Sequence, residues 1–397
     1  MTIQLPSREC TGCGACVSSC SVGAINMNER ADGFLYPEID SDKCVSCGRC
    51  MRVCPVNEPP RKNAPSACYA ATYAEDPSVL MKSSSGGMFF VLAQEILSRG
   101  GVVYGCVFDE TYRAVIRRAE TIEALAPMHG SKYVWSSATE SFPSVAEDLK
   151  NGRAVLYTSL PCQAAGLRKY LGRDYDTLYV ADVLCNGAPS PFAFRSYLST
   201  LTDAAGLSSL HFSFRDKELH GAGVDCTYYI RGEKKHEDNL ENSFYYSFRP
   251  MCRLTWRLSC YSCAYKDTMR VSDITIGDFW GVQKHHPSMD GKKGVSAVLI
   301  NTEKGGDLYA AVKRRLTAEE SRTVFVTERN SLVMQKGEGD REIPAARDAF
   351  FDTLRKDGWR AAEKSFLFDD YRTEMLAKRK RTKRRAFLGR IKRKIGL

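Results

Sequence analysis

Apolar and polar positions change their rhythm along this 397-residue chain. In residues 1–57 the apolar runs are short: Ala24-Ile25-Asn26-Met27 and Phe34-Leu35-Tyr36 flank Ala31-Asp32-Gly33 and predict a hairpin. The polar, proline-bearing stretch Glu58–Pro65 then reads as a linker. Beyond it, apolar runs predict strands at Ala67–Tyr73, Val102–Phe108, Ala154–Tyr157 and Leu178–Leu184. Helices are expected between them at Met88–Ser98, Ser141–Lys150, Gln163–Leu171 and Phe192–Leu201. Ser84 or Ser85 is expected to cap the first of these, and Gly100-Gly101 to end it. Later strands are expected at Leu210–Phe214, Asp225–Ile230, Asp273–Ile276 and Ser296–Ile300. Residues 307–370 read as mostly helical, at Leu308–Leu316 and Ala345–Phe366.

Strands alternating with helices argue for a mixed α/β core with antiparallel additions in its second half. The expected organisation is a small module over residues 1–60, a core over 66–304, a helical region over 305–376 and a tail over 377–397.

Composition is that of an ordinary globular protein, 43% hydrophobic and 26% charged. No apolar run approaches the ~20 residues of a membrane-spanning helix, and the first residues lack a signal-peptide pattern. The expected location is therefore the cytoplasm. The net charge of +10 is a local property. Eleven Lys or Arg and no acid fall between Lys378 and Lys394, and without them 46 bases face 47 acids. Phe387, Leu388, Ile391 and Ile395 recur at helical spacing within that basic run. A solvated tail and an amphipathic helix docked on an anionic membrane surface both fit, the latter making the protein peripheral at the inner membrane. Nucleic acid is a lesser candidate.

Sixteen cysteines change the picture, because eight of them fall between Cys10 and Cys54. Cytosolic disulfides are rare, so metal ligation is the natural reading. Cys10, Cys13, Cys16 and Cys20 stand at C-x2-C-x2-C-x3-C spacing, and Cys44, Cys47, Cys50 and Cys54 repeat it. A [4Fe–4S] cube needs one thiolate per iron, three from a tight loop and the fourth from elsewhere. In two-cluster ferredoxins the last cysteine of each run serves the other cluster. Cluster I then takes Cys10, Cys13, Cys16 and Cys54, and cluster II takes Cys44, Cys47, Cys50 and Cys20. Four-cysteine zinc sites favour separated C-x2-C pairs, which this crowding does not suit. Pro55 follows Cys54 as the pattern expects, whereas Ser21 follows Cys20 where proline is usual.

Four further cysteines stand apart: Cys162 after Pro161, Cys185 before Asn186-Gly187, and the pair Cys260 and Cys263. Cys162 and Cys185 sit at or just past predicted strand ends, where open α/β sheets place their sites. From the residues alone, a third four-thiolate set and isolated buried thiols both remain open. Cys68, Cys106 and Cys226 fall on predicted strands as core thiols.

The segments Ser83-Ser84-Ser85-Gly86-Gly87, Gly130-Ser131-Lys132-Tyr133, Pro161-Cys162-Gln163, Cys185-Asn186-Gly187-Ala188-Pro189, Phe214-Arg215-Asp216-Lys217, Ser259-Cys260-Tyr261-Ser262-Cys263, Ser272–Gly281 and Gly294-Val295-Ser296 occur in this order. In them the chain resembles the coenzyme F420 hydrogenase/dehydrogenase β-subunit family, from about Cys68 to Lys304. That resemblance implies FAD beside an additional [4Fe–4S] cluster, with Cys162, Cys185, Cys260 and Cys263 as its ligands and Cys252 as the substitute. Asn186 stands where many relatives carry histidine, and Thr255–Leu258 lacks the usual proline.

No G-x-G-x-x-G follows a strand, so the flavin rests on the resemblance. Ser84, Ser85, Gly86 and Gly87 open a helix whose amides suit a phosphate, or serve as an ordinary cap and packing contact. Lys132 suits a flavin ring or a phosphate, or plain solvation. Asp278 and Trp280 suit the wall of a flavin or cluster site, or a packed bulge. The expected function is that of an iron–sulfur flavoprotein oxidoreductase. It exchanges electrons with a redox partner protein or a reduced carrier and acts on a small-molecule substrate or a coenzyme F420-like carrier. An electron-transfer subunit of a larger complex is the alternative.

Overall fold

The computed structural model describes residues 5–202, 206–207, 210–218, 221–223, 225–230, 232–238, 240–249, 252–330, 342–368, 370–378 and 381. The basic-tail residues Phe387, Leu388, Ile391 and Ile395 lie outside these.

Strands β1 (Ile25–Glu29) and β2 (Leu35–Ile39) form the expected antiparallel hairpin, Ile25 opposite Ile39. The remaining strands are β3 (Ala67–Tyr73), β4 (Val102–Phe108), β5 (Ala114–Ala119), β6 (Ser136–Ser137), β7 (Val155–Ser159), β8 (Leu178–Val183), β9 (His211–Ser213), β10 (Asp225–Ile230), β11 (Glu233–Asp238), β12 (Ile274–Asp278), β13 (Ser296–Ile300) and β14 (Leu316–Ser321). Nine of them build one mixed sheet in the order β14-β3-β13-β12-β8-β7-β4-β5-β6. Its centre, β12, β8, β7 and β4, is parallel.

Alternation of side chains across the pleat explains the two layers. Val103 and Leu156 point into a core shared with helices Met88–Ser98 and Glu303–Val312. Val102, Tyr104, Val155 and Tyr157 point the other way, onto helices Ser141–Lys150 and Pro161–Leu171. A separate, aromatic core gathers Phe194, Phe214, Phe244, Trp256, Phe350 and Trp359. It joins the small β9–β11 sheet to the C-terminal helices Arg347–Asp357 and Trp359–Phe366.

Three expectations are corrected by the structure. Helix Met88–Ser98 is capped by Gly87 in a left-handed conformation, not by Ser84 or Ser85. Leu316–Ser321 is an edge strand paired with β3, where helix was expected. The expected helix Ala345–Phe366 is two, broken at Gly358 with φ 81°. Among the described residues no helix is long and apolar enough to cross a membrane.

The N-terminal module does not hang on a free linker. Asn63 pairs with Arg270 by reciprocal backbone bonds of 2.7 and 2.8 Å, and Lys62 reaches Asp267 at 3.1 Å. The hairpin tip is clamped by Arg347 on Asp32 at 2.8 Å, both buried. Phe34 packs edge-on to Trp135, their ring centroids 6.2 Å apart.

Candidate metal centre

The two cysteine runs fold alike because each places a glycine where the backbone turns left-handed, a conformation glycine adopts without penalty. Gly14 and Gly48, with φ 85° and 71°, start the short helices Ala15–Ser19 and Arg49–Arg52. The first turn wraps its three cysteines around one side of a cavity. One cavity is lined by Cys10, Cys13, Cys16 and Cys54, with Gly12, Gly14, Pro37 and Pro55 around them. The four thiols expected to share cluster I thus face one space, the last contributed by the second run.

Thiol electrostatics describe the same grouping. Burial pushes the Cys13 thiol up to about 12, and Cys10 and Cys54 add to the shift. Cys16 moves up for the same reason, with Cys13, Cys10 and Cys54 as its charged neighbours. Cys50 is raised by burial and by Cys44 and Cys47, which groups three of the second set. Cys20 accepts a bond from the Ala24 amide at 3.3 Å. Cys47 is exposed, so the second set lies at the surface.

The strand-end cysteines also meet. Cys162 follows β7 at the start of helix Pro161–Leu171, and Cys185 lies just beyond β8. Cys260 ends a short helical turn, Leu258–Cys260, and Cys263 lies on the loop after it. Burial raises Cys162 well above its ordinary value, and Cys263, Cys185 and Cys260 reinforce it. Cys185 is pushed up to about 12 and Cys260 to about 11, burial again leading and the partner thiols following. The Ala188 amide donates to Cys260 Sγ at 3.4 Å, and the Tyr265 amide to Cys263 Sγ at 3.5 Å. Cys252 instead packs against the aromatic core, and Cys68 and Cys226 are buried on β3 and β10. None of the sixteen cysteines is in a disulfide.

Enclosed groups of four thiols that repel one another's ionisation call for cationic metal. Four thiols around one space match the need of a cube for one thiolate per iron, so the residues present fit iron–sulfur cubes.

The first and third sets are neighbours, Cys13 being among the groups that act on the Cys162 thiol. Gly166 lies one turn after Cys162, and a Cβ there would come within 2.8 Å of Cys13 Sγ. Tyr265 is buried where both sets affect it: burial raises its phenol, and Cys162, Cys13, Cys263 and Cys54 all add to the shift.

The residues expected at a flavin divide. Ser84, Asp278 and Trp280 converge on Arg215, which belongs to a motif of the resemblance but was not itself expected at the site. Arg215 forms a bidentate pair with Asp278, Nη1 at 2.7 Å and Nη2 at 3.2 Å, and donates to the Ser84 carbonyl at 2.6 Å. It also donates to Tyr133 Oη at 2.9 Å and lies 5.6 Å from the Trp280 ring. Its Nε is buried with no partner among the described residues. Ser85 donates to the Val295 carbonyl at 2.9 Å, and the Gly86 amide to Ser296 Oγ at the same distance. Lys132 is taken up by the carbonyls of Pro127, His129 and Gly130, at 2.6, 2.8 and 3.2 Å. Burial pushes its ammonium down to about 8. Those bonds tie Lys132 to its own loop.

Fold and thiols together define a dicluster iron–sulfur module docked on an α/β core. Residues 9–57 match the family model of the 4Fe-4S dicluster domain. Residues 152–323 match the model for the C-terminal part of the coenzyme F420 hydrogenase/dehydrogenase beta subunit, a span that contains Cys162, Cys185, Cys260 and Cys263. The resemblance read from the motifs is therefore found independently. Among solved structures, the chain is similar to a chain of the F420-reducing [NiFe] hydrogenase complex from Methanosarcina barkeri. Identity is 18%, coverage 76% of this chain and 91% of that one, and the TM-score 0.44. No curated protein matches.

Proposed function

We propose that this chain is an iron–sulfur flavoprotein oxidoreductase with three [4Fe–4S] clusters and one FAD. The observation that carries this reading is the convergence of Cys162, Cys185, Cys260 and Cys263 from separate segments, in contact with the Cys13 set through Gly166. Bound clusters would supply one-electron steps, and FAD would collect electrons in pairs for hydride chemistry.

The chain's own residues set the order. The Cys44–Cys50 loop is outermost, with Cys47 exposed and Val45 65% exposed, which supports electron exchange there with a redox partner protein. The Cys10–Cys16 loop is pressed on the core, and the Cys162 set lies at the C-terminal edge of the parallel strands, the usual position for a site in such sheets. At the same edge, Arg215, held by Asp278 and flanked by Trp280, offers a fixed cation and an aromatic face to a flavin. A small-molecule substrate or a coenzyme F420-like carrier would react there.

Anaerobic purification followed by iron, sulfide and flavin quantitation tests the proposal. About twelve irons and one FAD per chain are expected, at about four irons per cube. About eight irons without flavin would reduce the protein to a two-cluster module with a core of other purpose.

A further inference from the structure

Arg257 carries its charge deep into the protein's interior. It is 1% exposed, three residues before Cys260. Its guanidinium is stacked among aromatic rings, 4.1 Å from the Tyr36 centroid, 5.2 Å from Trp135 and 5.3 Å from Phe34. Nε donates to the Cys10 carbonyl at 2.8 Å and Nη2 to the Leu35 carbonyl at 2.9 Å. Nη2 also reaches Cys10 Sγ at 3.8 Å. Nη1 is buried with no partner among the described residues. It lies against Gly12, whose added Cβ would meet it at 3.0 Å, and Gly12 in turn lines the cavity shared by Cys10, Cys13, Cys16 and Cys54. Asp32, the buried acid of this corner, is occupied by Arg347 at 2.8 Å. Among the described residues no carboxylate pairs with Arg257.

A buried guanidinium without a counter-charge is strongly destabilising. Its positive charge therefore needs an anion. Four cysteine thiolates around an iron–sulfide cube carry net negative charge, and one-electron reduction adds one more unit without taking up a proton.

We infer that Arg257 is the counter-ion of cluster I, which it holds at a higher reduction potential through its charge and its N–H···S contact with Cys10. Hydrogen bonds to the sulfurs and net local charge are the protein's means of setting such potentials. Because Arg257 leads directly into Cys260, the same segment that completes the core set also tunes the module's inner cluster. Electrons arriving at the exposed Cys47 side would then run downhill toward the core. The electron itself comes from a low-potential one-electron carrier, which is oxidised as cluster I is reduced.

The inference rests on the cluster reading above, and the test separates the two. The full chain is purified without oxygen, its iron and sulfide are counted, and each cluster is titrated potentiometrically by electron paramagnetic resonance. Arg257→Gln is expected to shift one cluster of the N-terminal module to lower potential, and to shift the core cluster by less, since Cys260 also lies within reach of the Arg257 charge. Arg257→Lys keeps the charge but loses the reach to sulfur, so it is expected to shift the same cluster downward by less. Should the glutamine variant fail to assemble, the lysine variant decides by itself. A fully loaded variant with wild-type potentials overturns the counter-ion role, whereas wild-type protein without iron overturns the cluster reading before any variant is titrated.

Discussion

Gly166 is one point at which the core meets the N-terminal module: a Cβ at this position would fall 2.7 Å from Cys13 Cβ and 2.8 Å from its Sγ. The neighbouring Ala164, Ala165 and Leu167 are fully buried, so the helix cannot retreat without disturbing the β7–β8 layer. Gly166→Ala pits two effects against each other. Alanine favours a helix over glycine by up to ~1 kcal/mol, while overpacking costs ~1–3 kcal/mol. The contact is with a cluster-loop cysteine that cannot swing aside, so a net loss of stability is expected. Denaturant titration of the loaded protein under nitrogen checks the sign, and a stabilised variant would mean the seam is looser than drawn.

Replacing Cys185 or Cys162 by alanine should remove one cube, lowering the iron count from about twelve to about eight while the N-terminal clusters remain. Cys252→Ala, in the aromatic core, should keep the full count. Iron and sulfide analysis separates the two groups. Equal losses from all three variants would point to general unfolding, and no loss from any would empty the third site.

What could be read from residues follows from what each signal depends on. The duplicated cysteine spacing is local, so the runs at Cys10–Cys20 and Cys44–Cys54 fall directly into two left-handed turns. The central strands carry unbroken apolar runs because both faces are covered, and β3, β4, β10 and β13 appear at their expected bounds. The edges were opaque. β14, Leu-Thr-Ala-Glu-Glu-Ser, and β11, Glu-Lys-Lys-His-Glu-Asp, are polar strands set by pairing with a neighbour rather than by their own pattern. The Arg215 and Arg257 environments were hidden for a different reason: each is assembled from segments far apart in the chain. Only the recurrence of Arg215 in a motif hinted at a role for it.

Asp278 and Arg215 form a pair in which the guanidinium is 1% exposed and the carboxylate 18%. Asp278→Asn leaves a buried cation with only neutral partners, and a cost toward the lower end of ~3–5 kcal/mol is expected because the carboxylate keeps some contact with water. Urea unfolding measures that cost. Trp280→Ala removes the aromatic face instead, and should lower the flavin retained per chain with little change in stability. If flavin content is unchanged in both variants, the Arg215 region is structural and FAD lies elsewhere.

The raised thiols give metal-free and loaded protein opposite responses to pH. Cys13 and Cys185 are pushed up to about 12, and Cys260 to about 11, chiefly by burial. Without metal these groups fold as neutral thiols. Their contribution is complete below the ordinary thiol value of ~8.5, and is lost as pH climbs toward the folded values, because only the unfolded chain can then ionise freely. Cluster ligation requires the thiolates and releases those protons, so metal retention should strengthen over the same rise. Iron transfer to a chelator, followed anaerobically from about pH 6 to 9, should therefore slow as pH increases. The melting temperature of chelator-stripped protein should fall once pH passes the ordinary thiol value. A stripped protein that gains stability in alkali would mean these thiols are not enclosed, and with that the case for a third cluster in the core would lose its electrostatic basis.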